Sequence, residues 1–116
     1  MPVELRPSQA LKLWHDVTLD LVRDGDTDLT ARQMTILLTV YLEPPPHTVR
    51  GLAAKLGVTK PAITRALDTM GDRGLVDRRR DERDKRNVLI QRTVDGALFL
   101  EKLGDDIVKR AKGLPR

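Results

Sequence analysis

Cysteine is absent from the 116 residues, and aromatic side chains are scarce, with one Trp, one Tyr and one Phe. Without cysteine, this sequence forms neither disulfides nor a thiol redox switch, which is compatible with a reducing cytoplasm, where we expect the protein to act. The core must be aliphatic. The longest apolar run, residues 34–42, is far shorter than the roughly 20 residues of a membrane-spanning helix. No basic and apolar secretory signal is visible at the start, and we expect no membrane association.

Nucleophiles and metal ligands are equally sparse. Ser8 is the only serine, and His15 and His47 fall in different predicted elements without another ligand at metal-binding spacing. Residues 24–28 begin like a calcium loop, but leucine and threonine stand where an EF-hand needs its glycine and glutamate. We therefore predict no catalytic residues, no metal, no cofactor and a function other than catalysis.

Charge is distributed unevenly along the chain, whose net charge is +4. Residues 1–47 carry four basic and seven acidic groups, whereas residues 48–92 carry twelve basic and six acidic groups. A basic half of this kind is typical of a polyanion-binding face. The alternative is a solvated charged surface, because the signs are mixed.

Helical periodicity marks three longer segments, of which the second is residues 29–42. Thr30 and Gln33 have the spacing of a capping box at its start, and three prolines at 44–46 stop it. We expect its buried stripe to be formed by Met34, Leu37, Leu38 and Tyr41.

The first and last helices, residues 8–24 and 93–112, are apolar on more than one side. Such helices suit packing against both their own chain and a second copy. We therefore predict a dimer interface, with closure of one monomeric core as the alternative. Its predicted members are Leu11, Trp14, Leu21, Leu100, Leu103 and Ile107.

Residues 49–68, VRGLAAKLGVTKPAITRALD, have the pattern of two short helices joined by a tight turn. Ala53 is small enough for a close helix crossing, Gly57 suits a left-handed turn, and Thr59 suits an N-cap. The spacing of Ala53, Gly57 and Ile63 matches the helix-turn-helix of DNA-binding proteins. An ordinary helical hairpin is the alternative.

The second of these helices, about residues 59–73, would be the recognition helix. Its outward face would place Arg65 for a bidentate contact with guanine and Thr64 for a thymine methyl or a phosphate. A surface ion pair of Arg65 with Asp68 or Asp72 is the alternative. The predicted DNA-binding residues of this helix are Thr59, Lys60, Pro61, Thr64 and Arg65.

Residues 75–79 and 87–92 have the alternation of two strands, and the charged loop between them, residues 80–86, predicts a wing. Arg83 at the tip is placed to enter a narrow minor groove. Asp84 is expected to brace the loop through an ion pair with Arg86. The predicted DNA-binding residues here are Arg79, Arg80, Arg83, Lys85 and Arg86.

The chain contains, in order, LAAKLGVTKPAITRALDTMGDRGLVDRRR, then DERDKRNVLIQRT and a further predicted helix. From about residue 29 to residue 103, this order resembles the winged-helix regulators of the MarR (multiple antibiotic resistance) family. The motif Asp81-x-x-Asp84-x-Arg86 is the most specific part. The resemblance implies a bacterial homodimeric regulator, usually a repressor, that binds a palindromic operator in double-stranded DNA and is often released by a small phenolic or other apolar ligand.

Two features depart from the family pattern. Family members usually have another helix after the one that begins at Thr93. Arg92 stands where leucine is usual, and we interpret it as an edge-strand cation that contacts phosphate.

The sequence therefore predicts a mainly α fold with a minor β component, a single winged-helix domain over residues 1–116. Within it, residues 29–92 would bind DNA, and residues 8–24 and 93–112 would form the dimer. A sequence-specific transcriptional regulator is the predicted function. A winged helix used for protein interaction, or a truncated regulator without operator binding, is the alternative.

Overall fold

A computed structural model describes residues 4–24 and 28–115, so most of the predicted connection at 24–28 lies outside the described residues. The elements in chain order are α1 Pro7–Asp24, α2 Ala31–Leu42, β1 His47–Thr48, α3 Val49–Leu56, α4 Lys60–Asp72, β2 Val76–Arg80, β3 Val88–Arg92 and α5 Val94–Lys112. The mainly α fold class with a small β component is confirmed. None of the helices in the described ranges has the length and hydropathy needed to cross a membrane.

The chain divides into two compact units, the larger of which comprises residues 29–100. Its core is aliphatic, as the scarcity of aromatic residues predicts, and α2, α3, α4 and the sheet all contribute to it. Because burial of apolar surface is the main favourable term in folding, this core fixes the arrangement of the short helices and the strands. Its most deeply buried side chains are Ile36, Leu37, Val40, Leu52, Ile63, Leu67 and Met70.

The start of α2 has the predicted capping box. The Thr30 hydroxyl accepts the Gln33 backbone N–H at 3.1 Å, and the Gln33 side chain accepts the Thr30 N–H at 2.8 Å. These two bonds satisfy donors that the first helical turn leaves without partners.

The predicted buried stripe of α2 is right for Leu37, which is fully buried, and for Tyr41, which packs against the core. It is wrong for Met34 and Leu38, which are only half-buried, and it omits the fully buried Ile36 and Val40. The helix is apolar around most of its circumference, so its own sequence does not define one inward face. The neighbouring elements select that face instead.

The sheet has three antiparallel strands in the order β1-β3-β2, and the sequence predicted only the last two in the chain. The interpretation of Arg92 as an edge-strand phosphate contact is wrong, since β3 is the central strand. The Arg92 Nε donates to the Val40 carbonyl at 2.9 Å, and its Nη2 donates to the Glu43 carbonyl at 3.2 Å. Arg92 therefore satisfies carbonyl groups at the carboxyl end of α2.

The smaller unit consists of the described residues among 1–28 and 101–116 and includes α1 and the second part of α5. Arg110 donates two hydrogen bonds to the Asp20 carboxylate, at 2.8 and 2.7 Å. These bonds lower the pKa of Asp20 to about 2, whereas burial and the neighbouring Asp20 raise the pKa of Asp106. Lys102 pairs with Asp24 at 3.2 Å.

The residues predicted for the dimer interface differ in exposure. Leu11 and Trp14 are 70% and 59% exposed, and Ile107 is 37% exposed. Leu103 is buried, and Leu100 packs against the core of the larger unit. The apolar stripe of α5 is thus used partly within the chain itself, which is a role the prediction did not assign to Leu100 and Leu103. Leu21 is half-buried.

Candidate nucleic-acid interface

A short turn places α4 against α3. Gly57 ends α3 in the left-handed conformation, with φ 69° and ψ 34°, which a residue without Cβ adopts at little cost. The backbone N–H groups of Gly57 and Val58 both donate to the Ala53 carbonyl, the latter at 3.1 Å. The Thr59 hydroxyl then caps α4 by accepting the Ala62 N–H at 3.3 Å. The turn and cap follow the sequence prediction.

One face of α4 is buried and the opposite face is exposed. Ala62, Ile63, Ala66, Leu67 and Met70 are buried, so the helix is held along its inner side. The predicted DNA-binding residues of α4 and its cap all lie exposed, and the structure brings them together on the outer side: Thr59, Lys60, Pro61, Thr64 and Arg65.

Arg65 does not form the ion pair that was the alternative to DNA contact. The Asp68 carboxylate instead accepts a hydrogen bond from Arg78 of β2 at 2.8 Å. No salt bridge found among residues 4–24 and 28–115 includes Arg65. The Arg65 side chain is exposed, and its donors have no acidic partner among the residues that the structure describes.

Two aspartates shape the wing between β2 and β3. The Asp81 carboxylate accepts the Arg83 backbone N–H at 2.9 Å, and the Asp84 carboxylate accepts the Arg86 backbone N–H at 3.1 Å. Each side chain thus closes a turn onto the backbone two residues later. The Asp81 backbone N–H donates to the Asn87 carbonyl at 3.0 Å, which closes the loop at its base. The family motif in the sequence includes Asp81, but no bond to the wing backbone was predicted for it.

Asp84 also pairs with the Arg86 side chain. The Arg86 Nε lies 3.1 Å from one carboxylate oxygen and Nη2 lies 3.3 Å from the other. Hydrogen bonds from Arg86, followed by the charge of Arg50 on α3, hold the pKa of Asp84 below its ordinary value. That this pair steadies the wing in function stays a prediction. The nearness of Arg50 to the wing was not visible in the sequence.

The cations of the wing differ in availability. The predicted DNA-binding residues Arg79, Arg80, Arg83, Lys85 and Arg86 are exposed. Arg79 lies 3.8 Å from Asp77, a long and exposed pairing that is worth little. Arg78 is engaged with Asp68, so it is withdrawn from the free positive surface.

These features make a surface suited to a polyanion. Within residues 29–100, exposed guanidinium and ammonium groups lie on a capped helix and on the hairpin that packs against it. Guanidinium groups bind phosphate or guanine through parallel donors, and ammonium groups bind phosphate as point charges.

Comparison with known proteins identifies the family to which this part of the chain is similar. The family model described as MarR family matches residues 27–87, which contain α2, the helix-turn-helix and the wing. An organic hydroperoxide resistance transcriptional regulator of Bacillus subtilis is 37% identical over 78 residues, which are 67% of this chain and 52% of that protein. This chain therefore spans about half the length of that relative.

Solved structures share the fold. A mutant of MepR from S. aureus superposes with a TM-score of 0.76 at 20% identity, over 95% of this chain and 82% of that one. The MepR–DNA complex superposes with a TM-score of 0.67 at 21% identity, over 84% of this chain and 83% of that one. At these identities the likeness shows the fold alone. The family model, in contrast, matches more than half of the sequence and therefore shows the family. This chain belongs to the MarR family, whose members are transcriptional regulators and not enzymes.

Proposed function

We propose that the protein is a homodimeric transcriptional regulator, acting in the bacterial cytoplasm, that binds double-stranded DNA with α4 in the major groove and the wing at the minor groove. One observation carries this proposal: the outer side of α4 presents Lys60, Thr64 and Arg65 exposed, while its inner side is fully committed to the core. In a helix-turn-helix, the exposed amino-terminal part of the second helix is the part that reaches base edges.

Arg65 is the side chain best suited to direct readout. Its guanidinium has no ion-pair partner in the described part of the chain, so its two parallel donors are available for guanine O6 and N7. Thr64 lies beside it, with a methyl group for thymine and a hydroxyl for phosphate. Lys60 at the first turn is placed for a phosphate.

The wing supplies the second contact. Arg83 lies in the loop whose turns are closed by Asp81 and Asp84, so a rigid backbone presents it. An arginine presented in this way suits a narrow A·T-rich minor groove, where the negative potential is enhanced. The cations Arg80 and Lys85 would contact the flanking phosphates.

The dimer and its regulation belong to the same proposal. Leu11, Trp14 and Ile107 expose apolar surface that a second copy would cover. A two-fold dimer would read two halves of a palindromic operator about 34–36 Å apart. Repression, and release of DNA by a small apolar ligand, are proposed from the family alone. Residues 29–92 would then be the DNA-binding part, and residues 8–24 and 93–112 the dimerisation helices.

Selection of bound fragments from the source genome, followed by mobility shift over a salt series, tests DNA binding. Among the predicted DNA-binding residues, five exposed cations form no salt bridge within the described part of the chain: Lys60, Arg65, Arg80, Arg83 and Lys85. If each neutralises one phosphate, the log–log slope is roughly −4 to −5 per subunit. No selected fragment and no salt dependence would refute the proposal and favour a protein-interaction module.

Arg65→Ala tests the direct readout. It should cost about 1–3 kcal/mol of binding free energy at one base position. Arg73→Ala is the matched control, because it removes the same charge from the other end of α4. It should weaken binding slightly and equally on all sequences. An equally uniform loss for Arg65→Ala would make Arg65 a phosphate contact.

Trp14→Asp tests the dimer. Analytical ultracentrifugation of the parent should give a two-chain species, and the variant should sediment as a monomer with weaker operator binding, because a charge would be buried at the interface. A parent that sediments as a monomer on a two-half-site operator would refute the dimer while leaving DNA binding intact.

A further inference from the structure

One ion pair connects the recognition helix to the wing. The Arg78 Nη1 donates to the Asp68 carboxylate at 2.8 Å, with the side chains 34% and 57% exposed. The guanidinium also lies over the next turn of α4, because a Cβ built on Gly71 would be 3.8 Å from its Nη2. Arg78 thus reaches from β2 across α4 between Asp68 and Gly71.

This pair lies where the hairpin leaves the core. Arg78 is opposite Ile90 in the sheet register, so both side chains are on the face of the hairpin that also carries the buried Val76. Beyond them, the next pair on that face is Arg80 opposite Val88; Arg80 is exposed, whereas Val88 is half-buried against the core. Val88 thus holds the β3 strand of the hairpin, and the contact between Arg78 and α4 fixes the β2 strand.

The charge of Asp68 is otherwise unfavourable. It lies on the outer face of α4, three residues beyond Arg65, where DNA phosphates would repel a carboxylate. An exposed ion pair adds only about 0–1 kcal/mol to stability, so stability alone does not account for it. The position of the pair accounts for an aspartate at residue 68, because a hydrogen bond at this point restricts the angle between the hairpin and α4.

We propose that Asp68 and Arg78 are positioning residues that hold the wing at a fixed distance from α4, and thereby set which part of the flanking minor groove the wing reaches. The effect on DNA recognition rests on the proposed function, but the placement of the hairpin against α4 exists without DNA. The two can therefore be tested separately.

The first test uses no DNA. Because the sequence has no cysteine, Thr69→Cys on α4 and Glu82→Cys in the wing allow specific spin labelling of the full chain, diluted with unlabelled chain to suppress distances between copies. We expect a narrow distance distribution in the parent and a broad one after Asp68→Ala or Arg78→Ala, with the melting temperature little changed. Asp72→Ala is the matched control, since it removes the same charge one turn further along α4, and it should leave the distribution narrow. A narrow distribution in all variants would overturn the proposal.

The second test measures discrimination between a selected operator and unrelated DNA. Loss of a pair worth up to about 1 kcal/mol predicts a loss of discrimination of up to about fivefold for Asp68→Ala and for Arg78→Ala. The charge-reversed double variant, Asp68→Arg with Arg78→Asp, should restore discrimination to within about twofold, because the pair reforms with opposite polarity.

Failure of the double variant to recover, together with tighter binding by Asp68→Ala, would show that Arg78 contacts phosphate itself and would overturn the proposal. If the parent binds no DNA but the label distances respond as expected, the DNA-binding function fails and the positioning role of the pair stands.

Discussion

Gly96, near the start of α5, is a position where the structure tolerates no side chain. A Cβ built there would lie well inside van der Waals contact of the Tyr41 hydroxyl and of the Leu75 carbonyl oxygen. The Tyr41 hydroxyl is not free to move away, because it accepts the Thr93 N–H at 2.8 Å and lies 2.9 Å from the Thr93 carbonyl and 3.1 Å from that of Leu75. Gly96→Ala must therefore displace backbone or break this network.

The cost can be worked out from its parts. Overpacking costs about 1–3 kcal/mol, and a lost buried hydrogen bond adds about 1 kcal/mol, against up to about 1 kcal/mol gained from the helix propensity of alanine. We expect Gly96→Ala to lower the free energy of unfolding by about 1–3 kcal/mol, a fall of about 4–12 °C in melting temperature, measured by circular dichroism and by denaturant titration.

Gly104→Ala is the matched control. It makes the same substitution in the same helix, where nothing among the described residues lies within 4 Å of the added Cβ. It should stabilise the chain by about 0.5–1 kcal/mol. A Gly96→Ala melting temperature equal to or above that of the parent would refute the reasoning.

Three further outcomes test other contacts. Arg92→Ala removes donors to two carbonyl groups at the end of α2, so it should cost about 1 kcal/mol in denaturant titration and leave the salt slope of DNA binding unchanged; a smaller slope would make Arg92 a phosphate contact. Arg110 lowers the pKa of Asp20 to about 2, so their pair stabilises the fold above about pH 4 and progressively less as the pH falls to 2. The melting temperature of Asp20→Asn should thus lie below that of the parent at pH 7 and approach it near pH 2. An equal difference in melting temperature at the two pH values would contradict this dependence on the ionisation of Asp20. Arg86→Ala should raise the pKa of Asp84 toward its ordinary value in a carboxyl NMR titration, and an unchanged pKa would exclude the pair.

The parts of the fold that depend on neighbours in sequence were predictable. The capping box of Thr30 and Gln33, the left-handed Gly57 and the cap at Thr59 each involve residues within four positions of one another. Their chemistry is specific because few residue types satisfy an unpaired helix N–H or a positive φ. The mainly α winged-helix architecture followed from such signals.

Contacts between distant residues were not predictable in the same way. β1 has two residues, too few for an alternating pattern, and it forms only because β3 lies beside it. Arg92 lies 52 residues from Val40, whose carbonyl it binds. Nothing in the sequence around Arg92 distinguishes a cation that caps a helix from one that meets a phosphate. The packing of α2 against the sheet decides between them.

The roles of the charged residues of the candidate interface were also not predictable from the sequence. A count of the charges in residues 48–92 implies that every carboxylate weakens DNA binding. In the structure, however, Asp81 and Asp84 accept backbone N–H groups within the wing, and Asp68 binds Arg78. These carboxylates hold the loop and the hairpin in place, and they leave the guanidinium groups of Arg65 and Arg83 without acidic partners in the described part of the chain. Asp68, Asp81 and Asp84 therefore shape the surface that we propose binds DNA, and the cations beside them would supply its attraction for phosphate.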